Sequence, residues 1–167
     1  MKPVPFAIAR PSSVAEAAKL ASENAAAKII AGGQSLGPML NLRLAQPNLL
    51  IDITGIPELT RVEADADNLM LGACVTTADV EDERIGAEAL PMLAPIAARI
   101  AYRAVRNRGT LGGSLCHADP AADWVAALAA LGADAVVGDG VRQRIVPTFR
   151  LMRGAFETDL DRGEVLL

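Results

Sequence analysis

The sequence predicts an α+β fold of two subdomains, residues 1–56 and 57–167, that meet near residues 54–60. The first observation behind this is alternation: up to residue 53, short aliphatic runs and helical-period segments follow one another as β-α-β-α-β. The second is a change of pattern after Ile56-Pro57-Glu58-Leu59, where strand-like alternation, helical segments and a hairpin signal take over. The third is that each half holds one glycine-rich segment, Ala31-Gly32-Gly33-Gln34-Ser35-Leu36 and Gly109-Thr110-Leu111-Gly112-Gly113-Ser114.

Taken in order, Phe6-Ala7-Ile8-Ala9 is a strand candidate, and Ser13 and Glu16 stand at capping-box spacing before a helix. Val14, Ala17, Ala18 and Ala21 share one face of that helix. An aliphatic strand over residues 28–31 runs into the first glycine segment. Leu36, Met39, Leu40 and Arg43 then recur at helical offsets over residues 36–44, with Pro38 early, where a helix tolerates it. Residues 49–53 form the next strand.

In the second half, Val62, Ala64 and Ala66 alternate, residues 69–73 read as a strand, and residues 76–83 and 88–99 read as helices. Asp119-Pro120 has the form of a helix start, with an N-cap carboxylate and Pro at the first helical position. Trp124, Leu128 and Leu131 share a face of that helix, and Gly132 ends it. Residues 135–137 and 142–146, separated by Gly138-Asp139-Gly140, predict a hairpin. Glu164-Val165-Leu166-Leu167 looks like the beginning of a strand, an edge that needs covering.

Composition narrows the function. Half of the 167 residues are apolar, but with one Trp, one Tyr and three Phe the chain offers a ligand backbone and polar groups rather than aromatic stacks. A net charge of −4 argues against a nucleic-acid partner, because a phosphate backbone selects a basic surface. Residues 1–10 hold no apolar leader core and no later run reaches membrane-spanning length, which predicts a cytoplasmic protein without membrane insertion. Cys74 and Cys116 fit a reduced compartment or a single bridge, and with one His they are too few for a zinc site.

The chemistry concentrates on the glycine segments. Each follows an apolar or strand-like run and precedes a helix-like one, which leaves backbone N–H groups free to meet an anion. In the first, Gly32 and Gly33 let the backbone approach and Gln34 and Ser35 add donors. In the second, Thr110, Gly112, Gly113 and Ser114 repeat the pattern, and His117, Asp119 and Asp123 lie just beyond. Two such nests suit a pyrophosphate, and the two carboxylates suit sugar hydroxyls. No G-x-G-x-x-G with a later acid is present, which disfavours a nicotinamide dinucleotide.

The bland readings compete here. His117 beside a cap is expected to satisfy backbone rather than act as a base, and Cys116 among small neighbours is expected to be a buried thiol. Arg99, Arg103, Arg106 and Arg108 are expected to be a solvated face followed by a basic turn, and Asp79, Glu81, Asp82 and Glu83 to face solvent.

The ordered motifs resemble a known family. Ala31-Gly32-Gly33-Gln34-Ser35-Leu36 with Asn41-Leu42-Arg43-Leu44-Ala45 and Leu50-Ile51-Asp52-Ile53, followed by Arg106-Asn107-Arg108-Gly109-Thr110-Leu111-Gly112-Gly113-Ser114 and His117-Ala118-Asp119-Pro120-Ala121-Ala122-Asp123, is similar to the FAD-binding medium subunit of molybdenum hydroxylases. That family includes the carbon monoxide dehydrogenase medium subunit and xanthine dehydrogenase FAD-binding subunits.

The resemblance implies a vanillyl-alcohol-oxidase (PCMH)-type FAD fold in a flavoprotein oxidoreductase subunit. It implies that residues 31–35 and 110–114 hold the pyrophosphate, that Asp123 contacts the ribityl or ring side of FAD, and that His117 and Asp119 lie near the flavin. It implies a molybdopterin-containing large subunit and a 2Fe–2S small subunit as partners, with electrons passing from the clusters through the flavin to an external acceptor. One departure stands out: members carry a further C-terminal α+β domain that is missing here. The chain is then expected to be a fragment, to be completed by another chain, or to be a flavin-free scaffold or assembly module.

Overall fold

The computed structural model describes residues 2–65, 68–86 and 90–167. Strands β1 (Ala7–Ala9), β2 (Ala27–Ile30) and β3 (Leu49–Asp52) form a parallel sheet in the order β1-β3-β2, with Ile8 opposite Leu50 and Ile29 opposite Ile51. The aliphatic runs of the sequence are these strands, and helices α1 (Val14–Glu23) and α2 (Leu36–Asn41) are the crossovers that parallel pairing requires.

At the start of α1, Ser13 Oγ accepts from Glu16 N–H at 3.2 Å as its spacing predicts. The returning carboxylate bond goes to the N–H of Ser12, at 2.8 Å, instead of that of Ser13. Helix α2 ends at Asn41, short of the expected residue 44, because Arg43 takes a left-handed φ of 60° and turns the chain.

A 3-10 turn (Pro57–Thr60) leads into the hairpin β4 (Val62–Ala64) and β5 (Leu69–Leu71); Ala66 lies outside the described residues. The strand expected to continue to residue 73 stops at Leu71. Gly72 then packs on Leu59, where an added Cβ would stand 2.3 Å from the Leu59 carbonyl oxygen. Helices α3 (Thr77–Glu81), α4 (Leu93–Arg99), α5 (Arg103–Arg106), α6 (Leu111–His117) and α7 (Asp123–Ala130) follow. Of the helix expected over 88–99, residues 93–99 are helical, and residues 88 and 89 lie outside the described residues.

The start expected at Asp119-Pro120 is a turn instead. Asp119 Oδ1 accepts from Ala121 N–H at 2.9 Å, and α7 begins four residues later without a side-chain cap. Strands β6 (Asp134–Gly138) and β7 (Gln143–Pro147) form the predicted hairpin, its turn closed by Asp139 Oδ1 accepting from the N–H groups of Val141 and Arg142. Helix α8 (Thr148–Leu151) and the short hairpin β8 (Met152–Gly154) and β9 (Glu157–Thr158) complete the tail with β10 (Val165–Leu166). β10 pairs antiparallel with β6 and stands at the edge of the sheet β10-β6-β7, with both its side chains buried.

Three apolar clusters hold the elements together. One joins α1 and β3 to Cys74 and Val165, so residues from both halves of the chain share it. A second centres on Trp124, Val80 and Leu111, with the Trp124 indole N–H donating to Thr77 Oγ1 at 3.0 Å inside it. A third packs Leu115 and Leu151 on β6 and β7. Among the described residues no helix is long and apolar enough to cross a membrane.

Candidate functional site

The two glycine segments touch. β2 delivers the chain to Gly32, which is buried against Arg108: an added Cβ would stand 1.9 Å from the Arg108 carbonyl oxygen and 2.9 Å from Gly109 Cα. Only a residue without a side chain permits this approach of two backbones. Gly33 then takes φ 69°, and Gln34 braces the turn by donating from Nε2 to the Gly32 carbonyl at 3.1 Å, with its Cγ lying opposite Gly109.

In the first segment, the backbone N–H groups of Gly32, Gly33, Gln34, Ser35 and Leu36 donate to no described residue. The carbonyls of Gly33 and Ser35, by contrast, accept from Gly37 and Met39. A continuous run of unpaired amides on a fixed turn is the donor array expected of an anion site.

The second segment differs from the first, and the expectation of two equivalent nests is corrected. Leu111 N–H donates to the Val75 carbonyl at 3.1 Å, Gly112 N–H to the Ala73 carbonyl at 3.0 Å, and Gly113 N–H to Thr110 Oγ1 at 3.0 Å. Thr110 is thus the N-cap of α6, and its amides are spent inside the chain. The glycines serve close contact: a Cβ on Gly112 would meet that of Ala73 at 2.5 Å, and one on Gly113 would meet Thr110 Oγ1 at 2.7 Å. Ser114 is half-buried, and among the described residues its hydroxyl makes no hydrogen bond.

His117 closes α6, half-buried and tilted against Phe156 with 5.2 Å between ring centroids. The Phe156 N–H donates to the Ala118 carbonyl at 2.7 Å, so the tail folds back onto this turn. His117 therefore packs on a ring and does not satisfy backbone as expected. Phe156 was not singled out by the sequence, since an exposed Phe in a left-handed turn (φ 62°) leaves no periodic signal. Asp119 is half-buried in its turn and Asp123 exposed at the first position of α7; no hydrogen bond joins either to residues 31–36.

The acidic and basic runs, expected to face solvent separately, meet each other. Arg106 donates from Nε and Nη2 to the two Glu81 oxygens at 2.8 Å each, and Arg103 grips Glu81 and Asp82. Asp79 caps α3 through Thr76 and pairs with Arg84, while Glu83 stays exposed. The Arg106 guanidinium, then Arg103, holds the Glu81 carboxyl below its ordinary range, and Arg103 and Arg84 hold Asp82 at about 2. Among the described residues Arg99 and Arg108 form no ion pair.

Both cysteines are free. Cys74 is buried, its thiol pushed up to about 12 by desolvation and by the Asp52 charge, whereas Cys116, expected to be buried, is exposed.

Two surface concavities of about 720 and 370 Å³ lie between α1 and the β6–β7 turn and beside the β4–β5 hairpin, and neither is lined by the glycine segments. The unpaired N–H groups of residues 32–36 are donors open to an anion. Their chemistry is binding.

The chain is similar to known proteins over nearly its whole length. The family described as the FAD binding domain in molybdopterin dehydrogenase matches residues 4–167. The nicotine 6-hydroxylase medium subunit of Paenarthrobacter nicotinovorans is 40% identical over 158 residues, covering 95% of this chain and 56% of the relative. The carbon monoxide dehydrogenase medium chain of Hydrogenophaga pseudoflava is 39% identical over 168 residues, covering 100% and 58%. The crystal structure of quinoline 2-oxidoreductase from Pseudomonas putida 86 superposes with a TM-score of 0.95 at 40% identity, covering 99% of this chain and 58% of that one. The chain thus spans a little over half the length of the relatives it matches.

Proposed function

Because the chain belongs to the family of FAD-binding domains in molybdopterin dehydrogenase, we propose that it is the flavin-holding, electron-transfer component of a molybdenum hydroxylase. In this reading a molybdopterin-containing large subunit oxidises the substrate, and a 2Fe–2S small subunit relays the electrons. The flavin-bearing chain passes them to an external acceptor, all in the cytoplasm. The names of the relatives support this division of labour, one being a medium subunit of a hydroxylase and another the medium chain of a dehydrogenase. FAD supplies the redox chemistry when bound, and the chain supplies binding and orientation.

One observation carries the fit: the unpaired amides of residues 32–36 lie where Gly32 lets the second segment close against the first. A pyrophosphate is the group that successive amides on a fixed turn suit. Ala31, Gly32, Gly33, Gln34, Ser35 and Leu36 take its oxygens in this account. Thr110, Gly112, Gly113 and Ser114 close the other side, the glycines by close packing and Ser114 by its hydroxyl. Asp123 accepts from the ribityl or ring side, and His117 and Asp119 line the flavin. The subdomains proposed at residues 1–56 and 57–167 then contribute one segment each.

Titration of the flavin-free chain with FAD, and separately with NAD, tests the reading. Stoichiometric FAD binding without NAD binding supports it. Capture of partner subunits with no FAD bound would make the chain a scaffold that keeps the fold alone.

A further inference from the structure

We propose that the Glu81–Arg106 ion pair is a positioning clamp that sets the 108–110 backbone against Gly32 and thereby tunes the grip on the FAD pyrophosphate. This rests on the function proposed above. The Arg106 side chain is 11% exposed and that of Glu81 18%, which makes theirs the most buried of the ion pairs on α3. Arg106 also donates from Nη1 to the carbonyls of Ile100 and Ala101, at 3.1 and 3.2 Å, so one guanidinium ties the entry to α5, its exit and the end of α3 together. A planar fork of this kind fixes geometry as well as charge.

The opposite end of α3 holds the same segment. Thr77 N–H donates to the Gly109 carbonyl at 2.8 Å, and Thr77 is itself pinned by the Trp124 indole. Arg106 and Gly109 are therefore anchored to the two ends of one helix, and Asn107 and Arg108 are the span between the anchors. Arg108 is the residue whose carbonyl abuts Gly32, at a distance that leaves no room for a methyl group. A shift at Arg106 must pass to Arg108, and from there to the turn that carries the unpaired amides.

Neither residue touches the donor array, so the pair acts through the backbone it holds. Reading flavin-free stability beside FAD affinity separates this role from simple folding, because removing one partner of a mostly buried ion pair can also cost stability. Glu81→Gln keeps the shape while removing the charge and one acceptor, and Arg106→Lys keeps the charge while removing the fork.

The test is FAD titration of both variants and the wild type as full chains. It is accompanied by ³¹P NMR of the bound pyrophosphate and thermal unfolding of the flavin-free forms. Each variant is expected to bind FAD roughly ten-fold more weakly, as for the loss of a charge-assisted hydrogen bond. The ³¹P resonances are expected to move and the flavin-free Tm to stay within about 4 °C of wild type. Unchanged affinity and ³¹P shifts in folded variants overturn the clamp and leave the proposed function standing. So does an affinity loss that only tracks a fall in Tm. A wild-type chain that binds no FAD overturns the proposed function, and the clamp with it.

Discussion

Gly32→Ala is the sharpest perturbation available at this site. The added methyl carbon would stand 1.9 Å from the Arg108 carbonyl oxygen and 2.6 Å from its carbon, both backbone atoms. A normal C···O contact is roughly 3.3 Å, so one segment must retreat by about 1.4 Å. The second cannot do so freely, because Gly109 is held by its own N–H on Val105 and by Thr77 on its carbonyl. Overpacking of this kind costs roughly 1–3 kcal/mol of stability, and each amide hydrogen bond to the anionic ligand that is lost costs roughly 1.5–3 kcal/mol, about ten-fold or more in FAD affinity. Calorimetric FAD titration and urea unfolding of the flavin-free protein measure both effects. Gly37→Ala is the control, since nothing lies within 4 Å of its Cβ position and α2 is helical there. It is expected to be neutral or more stable by up to about 1 kcal/mol. If Gly32→Ala binds FAD within two-fold of wild type at unchanged stability, the close backbone approach is not what builds the site.

Three other outcomes follow from the same physics. Trp124→Phe leaves Thr77 Oγ1 without its buried donor and opens space in the second cluster, so the urea midpoint should fall by the equivalent of about 2–4 kcal/mol. Asp82 has its carboxyl lowered from an ordinary 3.8 to about 2, first by Arg103, so its contribution to stability is complete above 3.8 and is lost as pH falls through 2. Carboxyl NMR should show that midpoint, and Asp82→Asn should flatten the acid limb over that window. Cys74, buried and with its pKa near 12, should resist alkylation at pH 8 until the chain unfolds, as read by mass spectrometry.

Local patterns made much of the fold legible. The strands of the parallel sheet and the β6–β7 hairpin are aliphatic runs bounded by glycine or polar turns, and each forms within a residue or two of its expected place. Errors arose where a side chain had a local alternative. Asp119 was expected to cap a helix but closes a turn on Ala121, which delays α7 to Asp123.

Asp79, Glu81, Asp82 and Glu83 stand too close together in sequence to share one helix face, a spacing that by itself predicts solvated side chains. For Glu81 and Asp82 the partners Arg103 and Arg106 come from a segment more than twenty residues away, which periodicity cannot reveal. The same limit applied to the glycines. The sequence marks Gly32 and Gly112 alike, but only the fold separates Gly32, beside a run of unpaired amides, from Gly112, whose amide is spent on Ala73.

In the proposed site the amides of residues 32–36 grip the pyrophosphate of FAD. This is tested most directly by following backbone amide resonances of the ¹⁵N-labelled chain during FAD addition. Large downfield shifts are expected at Gly32, Gly33, Gln34, Ser35 and Leu36, with Gly112 nearly still. FAD binding that leaves residues 32–36 unmoved would contradict it.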